Sequence, residues 1–179
     1  MWAFSDESER SGLVLFGVVL VSPGEVASAR RSLRGLLLPG QRQVHMAKES
    51  ARRKRAVLDA MARAQDLSAV VVRYRRPLGC DRPTARHLLL QAATGLVVGP
   101  GVTAWALDDQ DPAQVARDRA SIAHALAGVD HRLHPSYDHR PARSEPLIWA
   151  ADIVCWAVGV GGDWQGRLGS LVTVRDIAP

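Results

Sequence analysis

An uninterrupted apolar run near the amino terminus is the feature that most constrains the fold of this chain. The run is "GLVLFGVVLV" at 12–21, and it follows "MWAFSD" at 1–6 and a polar stretch at 7–11. It is about half the length of a membrane-spanning helix, and it lacks the basic region and cleavage site of a signal peptide. We therefore expect two strands joined as a hairpin, with the turn at 7–11.

The rest of the chain alternates between apolar strands and amphipathic helices. This order, in a chain of 179 residues, predicts one α/β domain over 1–179, with a mixed central β-sheet covered by helices. The expected elements are a helix from Ser22 to Pro39, a short strand at 43–46, a helix capped by Ser50, an interior strand at 67–76, a helix at 84–97, a strand at 102–109, a helix from Asp111 to about 127, a polar connection at 130–143, a helix capped by Ser144 and a strand at 170–176.

Arginine clusters give the chain a net charge of +5 and a pI near 10.0. Guanidinium groups bind phosphate oxygens bidentately, so the clusters predict contacts with RNA or DNA. A solvated helix face has the same composition, and charge alone leaves both interpretations open. The predicted nucleic-acid-binding residues are Arg52, Arg53, Lys54, Arg55, Arg73, Arg75 and Arg76.

The two cysteines, Cys80 and Cys155, have no Cys-x-x-Cys context and no histidine partners at zinc-finger spacing. We therefore expect neither a disulfide framework nor a zinc site. Together with the lack of a recognisable targeting segment, this composition predicts a cytoplasmic protein without a membrane anchor.

Acidic residues at strand ends and inside an apolar helix are the candidate metal ligands. Asp6 follows the first strand, and Asp108 and Asp109 compete for one role after "VTAWAL". Asp152 interrupts "LIWAADIVCWAV", where an unpaired charge is costly to bury. Glu145 lies two helical turns before Asp152 on the same side. Oxygen ligands of this kind favour Mg²⁺ or Mn²⁺.

Structural roles for the same acids remain open. Asp152 has the alternative of pairing with an arginine or a backbone donor, and Asp6 that of a turn or a helix cap. Strand alternation places Asp6 and Glu7 on opposite faces, so only one of them is expected to reach an ion.

Four motifs, in order, resemble a known family. They are "AFSDES", "VHMAKES", "ALDD" and "EPLIWAADIVCWAV". In this order and spacing the chain, from residue 3 to about 158, resembles the bacterial family of domains of unknown function numbered 3800 in the ribonuclease H-like superfamily. The resemblance implies a ribonuclease H-like fold with a mixed five-stranded sheet and a divalent-metal site built from carboxylates.

The resemblance also implies roles for individual residues. Asp6 and Asp152 match the acids of the first strand and the last helix, and Asp108 is chosen for the central strand end. Glu49 is the implied fourth carboxylate, with Glu145 as the alternative metal ligand. His45 matches a histidine that would orient water or bind phosphate.

Two functions follow as hypotheses. The first is a metal-dependent nuclease acting on RNA or on structured or hybrid nucleic acid, with Asp6, Asp108, Asp152, Glu49 and His45 as catalytic residues. The second is a catalytically silent module that binds nucleic acid or protein. A homodimer is also predicted, in which the tryptophan-rich last helix packs against a second subunit. The alternative is that these tryptophans belong to the hydrophobic core of one chain.

Overall fold

The computed structural model describes residues 1–99 and 101–178. One six-stranded mixed sheet forms its centre, in the order β5-β4-β1-β2-β3-β6. The strands are β1 Trp2–Arg10, β2 Leu13–Val21, β3 Leu67–Arg75, β4 Ala104–Asp108, β5 Ser136–Arg140 and β6 Val172–Ile177. The helices are α1 Val26–Arg34, α2 Ala51–Ala62, α3 Arg82–Val97, α4 Pro112–Leu126, α5 Pro146–Val160 and α6 Gly162–Gly166.

The sheet has an antiparallel centre and parallel flanks. β1, β2 and β3 form an antiparallel meander, while β4 runs parallel to β1, β5 parallel to β4, and β6 parallel to β3. This α/β fold confirms the predicted class, and the order of β1 to β5 is consistent with a ribonuclease H-like sheet. β6 is one strand more than the five that the resemblance implies.

Helices cover both faces of the sheet, so the fold has three layers and two hydrophobic cores. α1, α2 and α5 pack on the face that carries Phe4, Leu15 and Val71. α3 and α4 pack on the face that carries Phe16 and Trp105. Strand alternation sends successive β1 side chains into different cores, because neighbouring residues of a strand point to opposite faces. No helix in the described part of the chain is long and apolar enough to cross a membrane.

The hairpin turn lies later in the chain than the sequence predicts. β1 continues to Arg10, which pairs with Leu13, and the turn is the two residues Ser11 and Gly12 at φ 50° and 74°. Positive φ at both central residues gives the tight turn that suits the twist of a hairpin. The polar residues at 7–10 were wrongly assigned to the turn, because in the structure their backbone pairs with β2.

Three other local predictions were wrong. The segment 43–46 is not a strand, because the backbone N–H of Met46 donates to Asp152 and a 3₁₀ turn begins there. The polar connection at 130–143 contains β5, which pairs on one side only. Ser144 does not cap α5; its hydroxyl donates to the Pro141 carbonyl, and Glu145 accepts the N–H of Leu147 instead.

The caps of two other helices are as predicted. The Ser50 hydroxyl accepts the N–H of Arg53 at the start of α2. The Asp111 carboxylate accepts the N–H groups of Ala113 and Gln114 at the start of α4. Both side chains satisfy backbone donors that have no partner within the helix.

Gly17 lets α5 approach β2 closely, and this contact leads to a prediction. A Cβ atom at Gly17 would lie 2.8 Å from Cys155 Sγ and 3.0 Å from the Ala151 carbonyl oxygen. We expect Gly17→Ala to lower the free energy of unfolding by about 1–3 kcal/mol, because the overpacked helix must shift. Urea denaturation measures the change. Gly95→Ala in α3 is the control, since a Cβ there meets open space and an alanine is expected to stabilise the helix by up to about 1 kcal/mol.

Candidate carboxylate cleft

Three of the predicted acids line one cleft of about 380 Å³. We call it the carboxylate cleft and define it by Asp6, Asp108 and Asp152. Asp6 lies within β1 rather than at its end, but β4 stops at Asp108. Because Ser5 of β1 pairs with Leu107 of the parallel β4, Asp6 and Asp108 come level with each other. α5 crosses β1 and brings Asp152 to the same place.

Asp6 carries its charge with little local compensation. Its Oδ1 accepts the backbone N–H of Glu7 at 2.7 Å, and within residues 1–99 and 101–178 no Lys, Arg or His side chain forms an ion pair with it. Burial raises the pKa of Asp6 well above its usual value, and the charges of Asp108 and Asp152 raise it further. The Arg86 guanidinium and the Glu7 N–H act in the opposite direction. The fold therefore destabilises the ionised form of Asp6.

Asp108 is fixed by the segment that leads into α5. Its Oδ1 accepts the N–H of Ala142 at 3.1 Å, and the Trp149 indole of α5 donates to the carbonyl of the same Ala142. Burial raises the pKa of Asp108, whereas the N–H groups of Ala142 and Asp109 lower it. Trp149 is thus a buried residue that holds one wall of the carboxylate cleft, rather than part of an exposed subunit interface.

Asp152 is held from the other side by the segment before α2. Its Oδ2 accepts the N–H of Met46 at 3.0 Å and lies 3.3 Å from His45 Nδ1. This hydrogen bond raises the pKa of His45. Because His45 lines the carboxylate cleft and its side chain is 40% exposed, it can reach a bound molecule.

The acids around the cleft differ from its three central members in having arginine partners. Glu7 contacts Arg82 and Arg86 at 2.8 Å each, and Arg86 also holds Asp118 with two hydrogen bonds of 2.7 and 2.8 Å. Glu7 points toward α3 and Asp6 toward α5, as alternation predicts. Glu7 and Asp118 therefore have guanidinium partners, whereas within the part of the chain that the structure describes no guanidinium pairs with Asp6, Asp108 or Asp152.

Two predicted ligands lie outside the cleft lining. Glu145 caps α5 and pairs with Arg30. Glu49 accepts a hydrogen bond from Gln41 at 2.9 Å and lies 4.0 Å from Arg53. Each of these carboxylates has its own hydrogen-bonded partner, so the structure does not bring them together with the other three.

The predicted basic residues divide into two groups. Arg73 of β3 pairs with Asp176, and Arg76, the residue after β3, pairs with Glu9; of these three arginines Arg75 is the exposed one. On α2, Arg52 and Arg55 are exposed, Arg53 faces Glu49, and Lys54 lies over the Trp156 ring. A surface available to phosphate is therefore centred on α2 rather than on β3.

Arg86 is the cleft residue that sequence reasoning missed. It is 5% exposed, lines the cleft beside Glu7, and lowers the pKa values of Asp6 and Asp108. It lies between Ala85 and His87, before the leucines at 88–90 of α3, so nothing in the local sequence indicated that this arginine is buried.

The side chains as they stand do not form a ready-made metal site. In the part of the chain that the structure describes, no group of three or more His, Cys, Asp or Glu residues is placed so that it could hold an ion. Neither a family model, a curated protein nor a solved structure matches the chain significantly. The carboxylate cleft is therefore the feature from which a function can be inferred.

Proposed function

We propose that the protein is a divalent-metal-dependent nuclease that hydrolyses phosphodiester bonds in RNA or in structured or hybrid nucleic acid. The observation that carries the proposal is the convergence of Asp6, Asp108 and Asp152 without a guanidinium partner. Two carboxylates about 4 Å apart repel by roughly 4 kcal/mol at an effective dielectric constant near 20. A bound cation would explain why the fold pairs Glu7 with arginines but brings these three carboxylates together without one among the described residues.

The donor chemistry suits Mg²⁺ or Mn²⁺, because all three ligands are carboxylate oxygens. Such an ion supplies an activated water and stabilises charge on the phosphate oxygens. Asp6, Asp108 and Asp152 would hold it after small side-chain rotations, which the lack of a ready-made group in the described residues makes necessary. The proposal uses three acids, because Glu49 and Glu145 are engaged outside the cleft.

Other residues of the chain would position the substrate. His45, fixed by Asp152, would orient a water or hold a phosphate oxygen at the cleft edge. The cationic side chains of α2 would bind the nucleic-acid backbone without reading its sequence. Arg86 would limit the repulsion among the acids, since its charge favours their ionised forms.

We also propose membership in the bacterial family of domains of unknown function numbered 3800. The support is that all four motifs behind the resemblance meet in the cleft. They contribute Asp6, His45, Asp108 and Asp152 respectively. The cytoplasmic location and a homodimer remain predictions.

A catalytically silent binding module is the second candidate function. The lack of a preformed metal-binding group in the described residues favours it, and the cationic surface of α2 would serve it equally well. Melting temperature separates the candidates. Millimolar Mn²⁺ raises it if the carboxylates bind the ion and leaves it unchanged if they do not.

Cleavage assays test the nuclease directly. We expect the protein to cut labelled RNA, DNA or a hybrid duplex in Mg²⁺ or Mn²⁺ but not in EDTA, and Asp152→Asn to reduce the rate at least about 100-fold, because it removes one charged ligand. Asp109→Asn is the matched control, since Asp109 is exposed beside Asp108 and does not line the cleft. A folded Asp152→Asn protein that cleaves at the wild-type rate would end the proposal.

A further inference from the structure

A second groove of about 400 Å³ opens beside the carboxylate cleft. We call it the tryptophan groove and define it by Arg10, Lys54, Trp156 and Trp164. The groove and the cleft share four lining residues, so they form one continuous depression. The shared residues are Ser8, Glu9, Ala47 and Trp156.

Trp156 joins the groove to the cleft. It follows Asp152 by four residues in α5, and residues at this spacing lie on one helix face about 5–6 Å apart at their Cβ atoms. The Trp156 ring meets the edge of the Trp164 ring at a centroid distance of 5.3 Å and an angle of 80°. This contact holds the Trp156 indole in one orientation next to a cleft carboxylate, although the residue is only half-buried.

Cationic groups surround the two aromatic rings. Lys54 Nζ lies 4.8 Å from the Trp156 ring centre, and the Arg55 guanidinium lies 5.4 Å from that of Trp164. Arg10 is exposed at the rim. The acid in the groove, Glu9, is paired with Arg76 at 2.9 Å. The groove therefore offers aromatic surface together with an excess of positive charge.

We propose that the tryptophan groove binds a single strand of nucleic acid, with one base against Trp156 and the adjoining phosphate on Lys54. Stacking on an aromatic side chain requires an unpaired base, and a cationic groove follows the backbone, which is the combination that single-strand-binding proteins use. Lys54 can move from the ring to a phosphate, because its ammonium lies on a flexible stem. The volume is in the range of sites that hold a small organic group.

The inference deepens the proposed function and rests on it, because the strand in the groove is the one whose next phosphate reaches the carboxylate cleft. It narrows the substrate to nucleic acid with a single-stranded region at the point of cleavage. A fully paired duplex cannot present a base face to Trp156 without being opened.

Binding in EDTA tests the inference separately from catalysis. Fluorescence anisotropy of a labelled single-stranded oligonucleotide, an RNA and a DNA in turn, gives the dissociation constant of the intact protein. We expect Trp156→Ala to weaken binding about 10- to 100-fold, since stacking of one base contributes a factor of this order. Trp156→Phe, which keeps an aromatic face, should stay within about threefold of wild type. Lys54→Gln should weaken binding. It should also reduce the slope of the logarithm of the binding constant against the logarithm of the salt concentration by about one.

The matched control is Trp2→Ala. Trp2 is also half-buried but lies at the opposite end of β1, away from both depressions, so its variant should bind like wild type. Thermal unfolding of each variant verifies that it is folded. Unchanged affinity of a folded Trp156→Ala protein would overturn the inference. Equal affinity for a fully paired duplex, or for an acidic peptide of the same charge, would overturn it as well.

The two proposals fail in different ways. Loss of single-strand binding in Trp156→Ala together with no cleavage by wild type in Mg²⁺ or Mn²⁺ supports the groove and contradicts the nuclease. Cleavage by wild type together with unchanged binding in Trp156→Ala supports the nuclease and contradicts the groove.

Discussion

Replacement of Asp118 by asparagine is expected to lower the free energy of unfolding by about 3–5 kcal/mol at neutral pH. The Asp118 carboxylate is fully buried in α4 and accepts hydrogen bonds from Arg86, Gln114 and His139. Asparagine keeps the volume but removes the charge, which leaves the buried Arg86 with Glu7 alone. Breaking one partner of a buried ion pair has a cost of this size because the other charge remains uncompensated. Urea denaturation measures the loss.

The effect should depend on pH in a defined direction. Burial alone would raise the pKa of Asp118, but the hydrogen bonds from Arg86 and His139 hold it well below its usual value. The unfolded chain therefore binds the proton more tightly than the folded protein, and the stabilisation by Asp118 is lost as the pH falls. The difference in the free energy of unfolding between wild type and Asp118→Asn should have its full size above about pH 5 and become smaller below about pH 4.

A matched control for this variant is Asp138→Asn. Asp138 is exposed on β5 and pairs with Arg140 at the surface, so the free energy of unfolding should change by no more than about 0.5 kcal/mol. If Asp118→Asn is as stable as Asp138→Asn, the buried Arg86 network does not stabilise the fold in the way described.

Replacement of Asp6 by asparagine is expected to change stability and cleavage in opposite directions. In EDTA at neutral pH the variant should be more stable than wild type, because burial and the charges of Asp108 and Asp152 disfavour the Asp6 carboxylate and raise its pKa. Cleavage in Mg²⁺ should fall by at least about 1,000-fold, because the variant lacks one of the three carboxylates that would hold the ion.

The stability gain should also follow pH. The pKa of Asp6 is raised in the folded protein, so the folded state binds the proton more tightly than the unfolded chain. The free energy of unfolding of wild type therefore falls as the pH rises from about 4 through the raised pKa of Asp6, whereas Asp6→Asn lacks this dependence on pH. Thermal melts across this range, with and without Mn²⁺, measure both effects, and Mn²⁺ should stabilise wild type alone.

Asp163→Asn, on the exposed surface of α6, serves as the control for Asp6→Asn and should change neither stability nor cleavage. A folded Asp6→Asn protein that is less stable than wild type in EDTA at every pH would show that the Asp6 carboxylate is a structural acid.

Regular elements with strong local signals were predictable from the sequence. The apolar run of β2 predicted the hairpin, Ser50 predicted the start of α2, and Asp111 predicted the start of α4. These signals were readable because each acts within a few residues. β5 was missed since "SYDHR" is a polar edge strand that only its pairing with β4 reveals. The segment 43–46 resembles a strand in composition, but its Met46 N–H is taken by Asp152, a residue far away in the chain.

The cleft was predictable in part. Asp6, Asp108 and Asp152 could be selected because charged residues beside apolar strands or inside an apolar helix are unusual. The position of Glu145 depends on a tertiary partner, Arg30, which local sequence does not reveal. Glu49 lies 4.0 Å from Arg53, four residues later in the chain, and accepts a hydrogen bond from Gln41; a nearby arginine alone did not separate it from the other acids.

The three cleft acids come from the first strand, the fourth strand and the fifth helix, with most of the chain between the first and the last. During synthesis, Asp152 leaves the ribosome long after Asp6. Asp6 and Asp108 come level when β4 pairs with β1, and Asp152 joins them only when α5 docks on the finished sheet. Nascent or truncated chains that lack α5 therefore carry no assembled centre. Under the proposed function, a growing polypeptide would therefore not cleave the messenger from which it is being translated.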